Sequence, residues 1–230
     1  MTRLGLVLAL LLAPALGRAQ PMECDDAIRA PLGREGGLAC AALGGGRVLV
    51  AAVSPEEYDD RDRRSVRLVV GIVGPGEHAI WRQDDLTRLA ARRELPSALG
   101  YLDDTRFLPT FGSIQRLSTV WQYGEDEATR TEIQVWLRVT GERITSLWTG
   151  RGNGMESHFG QCVTTRVVEM RAEGSAVVRS WTVETSFTEQ GIHQDIPIEQ
   201  RRRDCGPGTR RVGPVRSPMR PRRLRHLEPS

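Results

Sequence analysis

Between residues 131 and 140 the apolar side chains recur at every second position. Ile133, Val135, Leu137 and Val139 point one way, and Glu132, Gln134, Trp136 and Arg138 point the other. A period of two belongs to an extended strand with one face in a core. Gly141-Glu142 follows, a Gly-X pair that suits a two-residue hairpin turn, and residues 143–149 form the return strand.

The same grammar recurs along the chain. Residues 47–53 follow Gly44-Gly45-Gly46 as an apolar run that reads as a buried strand. Residues 65–73 and 77–82 flank Gly74-Pro75-Gly76, and 162–171 and 176–187 flank Ala172-Glu173-Gly174-Ser175; both are hairpin signatures. Residues 114–123 form a strand before the 131–140 segment, and 196–203 read as a weaker edge strand. Besides a brief turn of helix before Pro31, one helix is expected. It is capped by Asp84, carries Leu86, Leu89 and Ala90 on one face and ends at Pro96. About nine or ten short strands with one short helix predict an all-β, mainly antiparallel fold: a β-sandwich or a curved, barrel-like meander.

The N-terminus reads as a secretory signal peptide over residues 1–19. Arg3 supplies the positive start, residues 4–16 the apolar stretch, and Gly17-Arg18-Ala19 the small residues of a cleavage site. That stretch is shorter than the ~20 residues of a membrane span, and no transmembrane segment is expected elsewhere. The mature chain is therefore expected to be secreted, periplasmic or extracellular. All four cysteines (Cys24, Cys40, Cys162 and Cys205) follow the leader, an even count that suits two disulfides in an oxidising compartment. Spacing favours Cys24–Cys40 and Cys162–Cys205. The second pair carries a topological demand. A simple three-strand meander over 162–203 would leave its cysteines ~30 Å apart, against the ~7 Å between Cα atoms that a disulfide allows.

Residues 20–205 form the expected disulfide-stabilised domain. Residues 206–230 differ in kind: seven arginines and four later prolines accompany one acid, Glu228, with almost nothing to bury, so a disordered Arg/Pro-rich tail is expected. The whole chain is only +3, so the basic tail stands against a net acidic domain. Every basic residue is arginine, in keeping with a GC-rich bacterial coding sequence. A flexible arginine cluster suits anionic lipid or a polyanion. A specific protein partner is not legible.

Three constellations compete for a site. The segment from Gly150 to Cys162 reads as a Gly-rich loop holding Arg151, Glu156, Ser157 and His158, where a hydrolytic site could draw in Asp103 or Asp104. Ser157 and His158 are adjacent, so on an extended chain they point apart, which argues against a nucleophile–base pair. Trp121, Trp136 and Trp148 could instead line an apolar-ligand cavity with the helix as a lid, although core packing is the commoner use of such rings. Asp59, Asp60 and Asp62 could offer oxygens to calcium, but Arg61, Arg63 and Arg64 offset them. His78, His158, His193 and His226 lack ligand spacing, and neither metal nor cofactor is expected. The reading is a non-enzymatic binding or structural protein of the bacterial envelope. A secreted hydrolase and an apolar-ligand carrier are its alternatives.

Overall fold

The computed structural model describes residues 20–25, 36–58, 64–75, 79–89, 101–123, 129–158, 162–187, 196–206 and 208–227. The expected leader, the short helix before Pro31, the acidic residues Asp59, Asp60 and Asp62, and the helical continuation toward Pro96 lie outside them.

The fold is the all-β antiparallel sandwich that the alternation implies. In the first sheet, β1 (Gln20–Met22), β2 (Gly37–Gly44), β3 (Arg47–Tyr58), β4 (Arg64–Val73) and β5 (Ala79–Asp85) pair in sequence order. A four-residue helix, α1 (Leu86–Leu89), follows β5. The second sheet runs β6 (Tyr101–Phe111), β7 (Ile114–Tyr123), β8 (Thr129–Thr140), β9 (Arg143–His158), β10 (Cys162–Glu173) and β11 (Ala176–Phe187), each strand antiparallel to its neighbour.

The faces follow the period. Leu49, Ala51 and Val53 of β3 and Val66, Leu68, Val70 and Ile72 of β4 meet Leu117, Trp121, Ile133, Val135 and Leu137 in one core shared by both sheets. Each such side chain contributes ~1.5–3 kcal/mol when fully withdrawn from water. On the opposite face of β4, Gly71 pairs with Trp81, whose ring occupies the space that a Cβ at position 71 would need. The face of β8 turned away from the first sheet is buried too: Trp136 joins Ile114, Leu147, Trp148 and Val177 in a second, smaller cluster. Phe111 and Trp148 meet Trp136 edge-on at 5.1 and 5.5 Å.

Both expected disulfides are present, with Cα–Cα distances of 5.3 Å for Cys24–Cys40 and 5.4 Å for Cys162–Cys205. The topological demand is met by replacing the third strand. The β10–β11 hairpin returns the chain to Phe187, opposite Cys162. Residues expected as an edge strand then form α2 (Ile198–Cys205). At 1.5 Å per residue an eight-residue helix advances ~12 Å, where a strand would cover about twice that, so Cys205 stays near Cys162.

The segment after Cys205 corrects the expectation of disorder. Gly208–Pro218 form β12, antiparallel to β11 at the edge of the second sheet. The backbone edge of β11 offers hydrogen bonds to any chain that can lie extended, whatever its side chains. Pro214 is tolerated on this edge strand, beside the register shift opposite Arg179 and Trp181. Charge helps as well, because Arg216 pairs with Glu173 at 3.0 Å. Beyond β12 the chain crosses the molecule through β13 (Arg222–Arg223) on β9 and β14 (Arg225–His226) on β5. Between them Leu224 enters the shared core and is 2 % exposed. An arginine- and proline-rich composition thus does not prevent this segment from docking as strands. Leu224 is buried and Met219 packs against the second cluster, whereas Val215 is 37 % exposed.

Leu224→Ala is therefore expected to lower stability by ~2–5 kcal/mol, the usual range for a buried leucine. Truncation after Cys205 should lower the urea midpoint further. An unchanged midpoint in both would return this segment to a passive tail.

Candidate anion-binding cleft

Three elements meet where the C-terminal segment crosses from one sheet to the other. The first is the β8–β9 turn, with Thr140 opposite Arg143 and Gly141 at φ 60°, a left-handed conformation that glycine adopts without strain. It holds Glu142 and Arg143 out from the sheet. The second is β5, on which Arg82 lies opposite His226. The third is the crossing segment itself, fastened by backbone bonds. Met219 N–H donates to Ser175 O at 2.7 Å, Arg220 N–H to Leu147 O at 2.8 Å, and Leu227 N–H to Trp81 O at 3.4 Å.

Burial of Leu224 decides where its neighbours point. On an extended chain adjacent side chains alternate, so Arg223 and Arg225 are exposed because Leu224 is not. They share a cleft of about 690 Å³ with Arg82, Arg143, His226 and Glu142, above an apolar floor of Ile144 and Leu224. Four guanidiniums thus face one carboxylate. Arginine stays charged at any working pH and offers a planar fork of donors that matches carboxylate, sulfate and phosphate oxygens. Arg82 spends one donor on Trp81 O at 2.9 Å. His226 Nδ1 lies 3.0 Å from Leu227 O; since a carbonyl only accepts, Nδ1 carries the proton and Nε2 is left for other partners.

The residues singled out from the sequence do not converge on one site. Trp121 is in the core shared by the sheets, donating from Nε1 to Thr119 Oγ1 at 2.9 Å, whereas Trp136 and Trp148 belong to the second cluster. The core reading of these tryptophans thus fits their placement, and a single cavity lined by all three does not form. Arg151 lies opposite Ile133, with its Nε buried and without a hydrogen-bond partner. Glu156 is exposed eight residues along β9 from Trp148, ~26 Å at strand rise. His158 ends β9 opposite Cys162, and its side chain is outside the described residues. The Gly-rich stretch is strand, not loop, as far as His158. Asp103 is paired with Arg130, and Asp104 lies 3.5 Å from Arg106.

That strand is bulged around a carboxylate. Thr131 pairs with Gly154 and Ile133 with Arg151, so Gly152 and Asn153 together oppose Glu132. The bulge releases the Asn153 N–H, which donates to Glu132 Oε2 at 2.8 Å. Ser118 Oγ and Gln134 Nε2 donate to Oε1 at 2.7 and 2.9 Å. A side chain at Gly152 would collide with this carboxylate. Gln134 Oε1 in turn accepts from Arg116 at 3.1 Å, and the Arg116 guanidinium lies 4.1 Å from the Phe111 ring centre. Burial pulls the Arg116 pKa below its ordinary value, partly opposed by Glu132. At the surface, the hydrogen bond from Arg171 holds the Glu173 carboxyl below its ordinary value, with Arg216 adding to the effect.

The cleft escapes sequence reasoning because pairing of β14 with β5 joins His226 to Arg82 across about 140 residues, and Glu142 and Arg143 come from the separate β8–β9 turn. The available signal is the lone leucine in Arg222-Arg223-Leu224-Arg225-His226. No family model matches the chain, and no curated protein or solved structure matches it either.

Glu132→Gln places an amide donor among three donors and is expected to cost ~1–3 kcal/mol, read as a lower urea midpoint. Wild-type stability in that variant would remove the network's structural role.

Proposed function

We propose that this protein is an exported, non-enzymatic binding module that captures a discrete polyanionic group in the arginine-lined cleft. One observation carries the reading: the buried Leu224 turns Arg223 and Arg225 outward, beside Arg82 and Arg143, over an apolar floor. Guanidiniums hold charge and do not shuttle protons, so most of the polar equipment of the cleft suits binding better than catalysis. Its concavity favours a compact multi-anion, such as a phosphorylated or sulfated group, over a flat lipid surface.

Export is supported by the leader-like residues 1–19 and by the two disulfides, which persist in oxidising environments. No described helix is long and apolar enough to cross a membrane.

Inositol hexakisphosphate, as a compact polyanion, is expected to bind saturably by calorimetry and to weaken as salt screens the cleft. The double variant Arg143→Gln, Arg225→Gln alters two exposed positions and should keep the fold while weakening binding at least about tenfold, since charge-assisted hydrogen bonds are worth ~1.5–3 kcal/mol. Undiminished affinity in that variant, or binding only to anionic vesicles, would reject the cleft as the site.

A further inference from the structure

A second recess lies on the other side of the crossing segment, and its origin is a gap in the second sheet. β10 pairs with β9 only from Gly154 to His158, and β13 pairs with it only at Thr145 and Ser146. Between these stretches the outer edge of β9 has no strand partner among the described residues. A pocket of about 330 Å³ opens there.

Its wall is chemically divided. Leu147, Trp148, Pro218 and Leu89 of α1 supply the apolar part, and Arg220 and Arg222 stand on the crossing segment. The Trp148 ring is held in place from two sides. The Trp136 ring centre is 5.5 Å away, and the Arg179 guanidinium, which also donates to Ser217 Oγ at 3.3 Å, lies 5.0 Å over its face. A fixed aromatic wall loses little freedom when a ligand packs on it. Thr149 also lines the pocket and is 4 % exposed, and its hydroxyl has no hydrogen-bond partner in the protein. Thr149 pairs with Val135 and Trp148 with Trp136, so the Thr149 hydroxyl is buried on the other face of β9, away from the Trp148 ring.

We infer that this pocket binds a small monocarboxylate with an apolar body, its head toward Arg220 and its body against Trp148 and Leu147. The volume is near the lower end of the ~300–1,000 Å³ usual for small-molecule sites. That suits a single short chain or one fused ring system, not a two-chain lipid. The inference does not depend on polyanion capture in the cleft, because the two recesses use different arginines.

Octanoate and 1-naphthoate test the aliphatic and aromatic forms of this chemistry, with tryptophan fluorescence and calorimetry as readouts. At least one should bind saturably, and acetate and octanol should bind at least about tenfold more weakly. Arg220→Gln, at an exposed position, should weaken the bound carboxylate about tenfold. Thr149→Val, which keeps the shape and alters the other face of β9, should leave it unchanged. The proposal fails if neither carboxylate binds at millimolar concentration, if octanol binds as well as octanoate, or if Arg143→Gln weakens binding and Arg220→Gln does not.

Discussion

Two antiparallel sheets packed face to face share a core whose margins would otherwise meet water, and a short extended segment near the C-terminus covers one of them. Leu224 inserts between β13 and β14 into the core formed by both sheets, while the backbone on either side pairs with β9 in one sheet and β5 in the other. Much else depends on that insertion. It fixes the register of the crossing segment, sets which arginines face outward, and separates the arginine cleft from the pocket beside Trp148. A leucine contributes ~1.5–3 kcal/mol through burial alone. The backbone pairs it anchors add to this, because they form only while the segment is held in place.

The central strand β8 shows a second constraint. It is buried on both faces, yet it carries Glu132 and Gln134 on the face away from the first sheet. A charged side chain in such a place is tolerated only when its oxygens are satisfied. Here the bulge at Gly152 and Asn153 supplies a backbone donor and the neighbouring strands supply two side-chain donors. Bulging also increases the local twist of β9, the strand whose outer edge is left open between β13 and β10. The device that satisfies a buried carboxylate and the gap that forms the smaller pocket therefore lie on the same strand.

Legibility from the sequence divides by range. The alternation of residues 131–140, the Gly141-Glu142 turn and the hairpin ending at Gly174-Ser175 rest on neighbours in the chain, and each appears in the fold. The disulfide pairs are also legible, but the helix that allows Cys205 to meet Cys162 is not. Isoleucine, glutamine and three consecutive arginines give no decisive period over so few residues. The cleft was not legible. Arg82, Arg143 and the Arg223/Arg225 pair are separated from one another by about 200 Å or more of extended chain (~3.3 Å per residue), and they meet where the C-terminal segment crosses from β9 to β5. Composition also misled at the C-terminus, because it averages over the segment, whereas docking depends on single apolar residues at the right positions.

The central claim is that the residues after Cys205 are an integral closing strap of the sandwich. Hydrogen exchange measures it most directly, peptide by peptide, in the intact oxidised protein. The amides of Arg220 and Leu227, and those in β12 that bond to β11, should be protected to an extent comparable with β9, because they open only when the sandwich opens. Exchange at the rate of an unstructured peptide across residues 208–227, with β8 and β9 still protected, would contradict the account.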